Sequence, residues 1–242
     1  MNVQQIKNIF NSISGKYELS NLVMSFGIER YWRARFNSLI KGSEAYILDA
    51  CCGTGNSTFA IWKKTKRKAE ITGLDFSVEM LDVARKKIKN SALKSKNKNK
   101  NKKPADGNIS FIETDITSTT LKNDYFNLVT VIFGIRNVVE REKALSELYR
   151  LTAPGGKILV MEFNMPVNDI LKRFYISYMK KILINLGTFI TKNREAYIHL
   201  VQSIIGFPNV EQFVKIMKAA GWKNIRTLTM SFNTCVIYEA YK

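Results

Sequence analysis

AYILDACCGTGNSTFAIWKK, residues 45–64, passes from a short apolar run through two closely spaced glycines into a helical pattern. A short, mostly apolar run, AYILDA (45–50), reads as a buried strand, and NSTFAIWKK after it reads as a helix. Gly53 and Gly55 between them permit the sharp turn that joins the two. The same alternation continues down the chain. EITGLD (70–75) is a second strand, and SVEMLDVARKKIKN a helix with Ser77 as N-cap and Glu79 in its first turn. NISFIE (108–113) makes a third strand and DYFNLVTVIF (124–133) a fourth, followed by the helix EREKALSELYRL. The turn APGG (153–156) launches KILVMEF (157–163), a fifth strand.

Strands alternating with helices predict an α/β fold, a mostly parallel sheet wound on both faces. Such sheets bind ligands at the carboxyl ends of their strands, near the point where strand order reverses. The tail departs from the alternation. NVEQFVKIMKAAGW is a helix stopped by Gly221, and IRTLTM and CVIYEAYK are two successive strands expected to form a hairpin that closes the sheet. The 242 residues are expected to form a single domain, 1–242. Within it, residues 1–44 form a helical cap and residues 167–206 a helical lid, both set over the carboxyl edge.

Lysine plus arginine number 38 against 20 acids, a formal charge of +18, which favours anionic partners such as nucleic acid or an acidic membrane surface. The Lys/Asn-rich stretch 93–107, LKSKNKNKNKKPADG, holds six of those lysines and offers no apolar face, so it reads as a disordered surface loop. Three cysteines, two of them adjacent, suggest no disulfide framework; with one histidine and no CxxC, no metal site is expected. The N-terminus lacks the apolar core of a signal peptide, and no run approaches the roughly 18 apolar residues a spanning helix needs. A cytoplasmic protein is expected, able to lie against a membrane.

The loop after the first strand narrows the ligand. A G-x-G turn brings backbone close to a ligand at a helix N-terminus. A dinucleotide fingerprint would place a third glycine where Thr58 stands, and the Gly-Lys-Ser/Thr of a phosphate loop is absent. What remains is an acid, Asp49, four residues before the first glycine. Asp75 ends the second strand, where an acid takes both hydroxyls of a ribose. Asp115 lies just past the third, placed to accept from an adenine amino group. Acid, glycines, ribose acid and adenine acid, each at a strand end, resemble the S-adenosylmethionine (S-adenosyl-L-methionine) site of a class I methyltransferase.

FNSISGKYELSNLVMSFGIERYWR (10–33), LDACCGTG, GLDFSVEML (73–81), FGIRN (133–137), PGGKILVMEFNMP (154–166), YIHLVQSIIGFP (197–208) and FVKIMKAAGW (213–222) occur in this order. Together they resemble the menaquinone/ubiquinone biosynthesis C-methyltransferase family over nearly the whole chain apart from the lysine stretch. The resemblance implies a Rossmann-like class I methyltransferase fold with an antiparallel C-terminal strand, and methylation of a ring carbon of a polyprenyl quinol. It implies that Gly53, Gly55, Thr58, Asp75, Asp115 and Ile116 line the cofactor, and that Arg136, Asn137 and Tyr17 lie in the acceptor pocket. The chain departs from the family in having Asn56 where an acid usually comes after GTG, Asn127 and Met165 at two further positions, and His199 where a tyrosine is usual. The CCGTG form of the loop resembles the naphthoquinone branch, so demethylmenaquinol is the expected acceptor and the benzoquinol of the ubiquinone pathway the alternative.

A phenol ionises near pH 10, so a quinol hydroxyl at pH 7 lies roughly 4 kcal/mol from its reactive phenolate. Arg136 is expected to hold a water or hydroxide and the developing phenolate, with Asn137 and Tyr17 orienting them. The competing role for Arg136 is an ion pair with a nearby acid such as Glu140 or Glu142. His199, on the helical pattern AYIHLVQSI, reads as a packed or surface histidine, and Cys51 and Cys52 as small core residues. In NDILKRFYISYMKKILINL, apolar residues at 170, 171, 174, 175, 178, 179, 182, 183 and 186 form a helical stripe with Lys172, Arg173, Lys180 and Lys181 opposite. Such a helix either lies on an anionic membrane or folds as a lid with a solvated back. A second copy of the chain is a further partner considered. RNA methylation, prompted by the charge, is disfavoured because FGIRN stands where an amino-methyltransferase would have [ND]PP[YF]; no nucleic acid is expected. A non-catalytic cofactor-binding protein would leave FGIRN without a use.

Overall fold

A computed structural model describes residues 3–16, 27–98 and 108–242. Its sheet has the order β3-β2-β1-β4-β5-β7-β6. The strands are β1 (Tyr46–Ala50), β2 (Glu70–Asp75), β3 (Ile109–Glu113), β4 (Phe126–Ile132), β5 (Thr152–Phe163), β6 (Lys223–Met230) and β7 (Cys235–Tyr241). The first five pair in parallel, while β7 runs antiparallel to both β5 and β6. The expected C-terminal hairpin forms, but β7 inserts beside β5, leaving β6 at the edge. APGG also differs from expectation. It lies within β5, at an irregularity in the pairing with β4, and is not a separate turn ahead of it.

Among the described residues the α-helices are α1 (Val3–Ile13), α2 (Ile28–Ser38), α3 (Asn56–Lys64), α4 (Val78–Lys98), α5 (Arg141–Leu151), α6 (Asp169–Tyr178), α7 (Ile184–Thr191), α8 (Arg194–Ile205) and α9 (Val210–Ala219). Helix α4 starts where Ser77 Oγ accepts from the Met80 amide at 3.2 Å, the cap expected from the sequence. Its backbone stays helical through Lys98, six residues into the stretch expected to be a disordered loop; the rest of that stretch lies outside the described residues.

Alternate residues of each strand face opposite layers. Leu48, Ala50, Val129, Val131, Ile158 and Val160 pack with α5 and α9; Ile47, Leu128, Ile132, Leu159 and Met161 pack with α2 and α3. Burial on both faces is why these strands read as continuous apolar runs. A third cluster lies over the carboxyl edge, joining Ile9 and Ile13 of α1 to Met179, Leu183 and Ile184 of the lid and Tyr197, Val201 and Ile204 of α8. Ser77 Oγ donates to Asn11 Oδ1 at 2.6 Å and ties the cap to the start of α4. Between α6 and α7 a π turn, Met179–Leu183, adds a residue to the helical path. The apolar stripe is split along its length: Met179 and Leu183 are buried, while Ile170, Phe174 and Ile182 face out.

Candidate active site

The strand order reverses between β1 and β4, and the loops after these two strands meet there. Both begin with a side-chain-bearing residue in left-handed backbone, Cys51 at φ 54° and Phe133 at φ 55°. Each such residue costs about 1–3 kcal/mol, which surrounding structure must hold in place. Part of that constraint is direct. A Cβ on Gly134 would lie 2.3 Å from Cys51 Cβ, so the two loops touch through the space a side chain would occupy.

Gly53 (φ 54°) has open space where its Cβ would be, and its amide donates to Asp75 Oδ2 at 2.8 Å. The other carboxylate oxygen, Oδ1, accepts from the Ser77 amide at 3.0 Å. Burial pushes the Asp75 carboxyl up to about 6, against those backbone donors. Gly53, Asp75, Asp115 and Ile116 line one cavity, capped by Val3, Ile6 and Phe10 of α1. Asp115 is exposed and holds its loop by accepting from the Thr117 amide at 2.8 Å.

Asp49, Gly55 and Thr58 stand behind this surface. Asp49 is fully buried, its carboxylate accepting from Ser57 Oγ (2.8 Å), Thr58 Oγ1 (2.6 Å) and Thr130 Oγ1 (2.8 Å). Burial raises its pKa while the hydroxyls oppose the rise. Asp49, the acid ahead of the glycines in the expected cofactor site, is buried behind the cavity and fastens β1, β4 and the start of α3 together. Gly55, also at positive φ, is required by packing, since a Cβ would meet Ala84 at 3.0 Å and the Phe111 ring at 3.2 Å. Lys87 of α4 clamps the turn from outside, donating to Thr54 O (2.8 Å) and Asn56 Oδ1 (2.9 Å).

A second, larger cavity of about 470 Å³ adjoins the first, with Phe10, Phe133 and Asn137 lining both. Its wall is mostly apolar, with Ile9, Trp32, Phe163 and Leu183 among the lining residues, and Arg136 and His199 line it too. Arg136 and Asn137 sit on a 3₁₀ turn, Ile135–Asn137, that comes after β4. Arg136 is buried and paired, but not with Glu140 or Glu142. Its Nη1 donates to Glu162 Oε1 at 2.9 Å and to the Phe133 carbonyl, and its amide donates to Glu162 Oε2 at 3.2 Å. The guanidinium also lies over the Phe163 ring, 5.1 Å from its centroid. Nε has no hydrogen-bond partner among the described residues. Arg141 fastens the turn by donating from Nη2 to the Arg136 carbonyl at 2.9 Å.

Two participants do not stand out in the sequence. Glu162 is the lone acid closing KILVMEF, and a charge at the end of an apolar run is the signal that could have found it. His199 meets Asn137, Nε2 to Oδ1 3.1 Å, across 62 residues of sequence, and no local pattern announces that contact. Tyr17 lies outside the described residues.

The arrangement fits S-adenosylmethionine. Gly53 gives close backbone approach, Asp75 and Asp115 offer carboxylates to hydroxyl and amino donors, and Ile116 an apolar surface. Fold and cleft define a class I S-adenosylmethionine-dependent methyltransferase. Among solved structures with the same fold, a SAM-dependent methyltransferase of Thermotoga maritima covers 97% of this chain and 99% of its own at TM-score 0.63 and 18% identity. One from Aquifex aeolicus covers 99% and 98% at TM-score 0.57 and 15% identity. The chain belongs to the ubiE/COQ5 methyltransferase family, whose model matches residues 1–242. It is 32% identical over 240 residues to the ubiquinone/menaquinone biosynthesis C-methyltransferase of Geotalea daltonii, covering 99% of this chain and 97% of that one. It is 30% identical over 239 residues to that of a Shewanella species (strain ANA-3), covering 98% and 90%. The protein is an S-adenosylmethionine-dependent C-methyltransferase of quinone biosynthesis.

Proposed function

We propose that the acceptor is demethylmenaquinol, a reduced naphthoquinone with a polyprenyl tail, methylated on its ring carbon to menaquinol. The observation that supports this most is the adjoining pair of cavities, one with carboxylates and a glycine turn, the other large and apolar, with the Asn137 amide lining both and Arg136 lining the large one. The CCGTG form of the loop favours the naphthoquinol over the benzoquinol.

Gly53, Asp75, Asp115 and Ile116 would hold the cofactor, with Asp49, Gly55 and Thr58 keeping the turn in shape behind them. S-adenosylmethionine, when bound, supplies a methyl on a sulfonium, whose carbon–sulfur electron pair stays with sulfur as the ring carbon forms its new bond. Arg136 and Asn137 lie where the quinol oxygen must come, and their donors favour the charge that develops on it. Tyr17 belongs to the same acceptor group in this reading. Apolar walls exclude water, which strengthens those interactions.

A substrate dissolved in lipid needs an enzyme that reaches the lipid. Phe232, 82% exposed, projects from the turn between β6 and β7 and also lines the large cavity. That turn is bonded to α2 through Trp32 Nε1 to Ser231 Oγ (2.9 Å) and to the chain before α6 through Asn233 Nδ2 to the Met165 carbonyl (3.2 Å). Val167, Ile170 and Phe174 near it are 82%, 68% and 69% exposed, and Lys172 and Arg173 stand exposed beside them. These groups suit peripheral contact with an anionic membrane. No helix among the described residues is long and apolar enough to cross one.

Incubation with methyl-labelled S-adenosylmethionine, reduced demethylmenaquinone vesicles and total RNA tests the assignment. Label is expected in the lipid extract at the menaquinone position. Label in RNA, or only in a benzoquinone acceptor offered in parallel, would replace the naphthoquinol.

A further inference from the structure

Glu162 changes what Arg136 can contribute. A carboxylate 2.9 Å from Nη1 offsets much of the guanidinium charge, so the quinol oxygen meets a donor rather than an isolated cation. Such a donor helps a phenolate once formed but removes no proton, and neither Arg136 nor Asn137 accepts one at pH 7. A side chain on the wall of the large cavity can supply the acceptor that these two lack. Among its described lining residues, Glu29 is taken up by Arg33 at 2.6 Å. Tyr175 and Tyr178 have hydroxyls that burial holds in the protonated form. His199 is the remaining titratable group on that wall with acid–base range near neutrality.

Resting on the quinol assignment above, we propose that His199 is the general base that takes the proton from the acceptor hydroxyl. The contact with Asn137 prepares it. With Nε2–H donating to Asn137 Oδ1 at 3.1 Å, the proton resides on Nε2 and Nδ1 keeps its lone pair. Nδ1 has no hydrogen-bond partner among the described residues. In the step itself the quinol O–H bond breaks, its electron pair stays on oxygen, and an N–H bond forms at Nδ1. The oxygen pushes density to the ortho carbon, which bonds to the methyl. The ring then loses its own hydrogen to water, and the imidazolium returns its proton to the oxygen, so that one proton is released in all. The groups facing His199 agree with a base kept neutral: burial and the Arg136 charge both lower its pKa from 6.5, with Glu29 and Glu162 each held by an arginine.

His199→Gln keeps a hydrogen-bonding group for Asn137 and removes the titration, so a merely structural role would survive it. For the native chain, at S-adenosylmethionine concentrations that saturate it at every pH so that Asp75 does not enter, turnover of a short-chain demethylmenaquinol is expected to fall as pH drops through a value below 6.5, where the imidazole gains its proton. In His199→Gln, turnover is expected about 100-fold lower with that acid limb gone and the quinol KM little changed. Because the chain has a single histidine, its imidazole is also the only one in an NMR spectrum. The Nδ1 signal is expected to shift when quinol is added to the S-adenosylhomocysteine complex. A variant retaining turnover within about threefold and the same acid limb, or an Nδ1 signal unmoved while quinol binds, overturns the role of His199 alone. A native chain that binds and methylates no quinol overturns the acceptor assignment and this role with it.

Discussion

Arg136 and Glu162 are a buried pair, 4% and 0% exposed in their side chains, so removing one strands the other. Arg136→Ala is expected to cost about 3–5 kcal/mol of stability in denaturant melts. Turnover is expected to fall about 100-fold, on the scale of a lost oxyanion donor. A double variant, Arg136→Met with Glu162→Leu, separates the two effects: stability is expected to recover and turnover to stay low. Recovery of turnover as well would leave the guanidinium no chemical part. Asp75 gives a second prediction. Its carboxyl, raised to about 6, is protonated below that pH and charged above it. In the proposed cofactor site ribose hydroxyls donate to the charged form, so cofactor affinity should rise with pH up to about 6 and level off above. Calorimetric titration from pH 5 to 7.5 checks this, and Asp75→Asn should flatten the profile. Asp75 was legible because an acid at a strand end is a local signal. The partner of Arg136 was not, because Glu162 is 26 residues away on an adjacent strand and closer acids, Glu140 and Glu142, compete for it in the sequence.

The strands and crossover helices of the first half were readable nearly residue by residue, and EITGLD and NSTFAIWKK form where the pattern set them. The signals are strong there because β1, β2 and β4 are buried on both faces and read as apolar runs, while each helix buries one face. The lid was harder. Its apolar positions come in adjacent doublets, and the elements packed against it decide which member meets the core: Ile170, Phe174 and Ile182 face out, while their neighbours Leu171, Tyr175 and Leu183 are partly or fully buried. The outward half supplies an element-scale prediction. Ile170→Ser with Phe174→Ser removes exposed apolar surface and should alter stability by no more than about 0.5 kcal/mol. Sedimentation with anionic vesicles should drop several-fold, with turnover of a short-chain, water-soluble quinol unaffected. Unchanged sedimentation would assign these side chains no part in lipid contact.

At the scale of the molecule, the charge of +18 and the exposed Phe232, which lines the large cavity, support one proposed surface event, contact with an anionic membrane. Attraction to anionic vesicles is expected to weaken as salt rises from about 0.05 to 0.5 M, as the screening length contracts to several Å, while the apolar contribution persists. Binding that ignores both salt and lipid charge would remove the basic residues from the event. The sheet order shows why distant residues converge: β1 and β4, far apart in sequence, are neighbours, and their two loops meet at a missing side chain. A methyl added at Gly134 has nowhere to go, with Cys51 Cβ 2.3 Å from where it would sit. The donor-side turn and the acceptor-side turn thus behave as one jig. In the proposed reaction the distance from incoming nucleophile to electrophile rests on that close contact, and one added carbon would push the two reactants apart before either had bound.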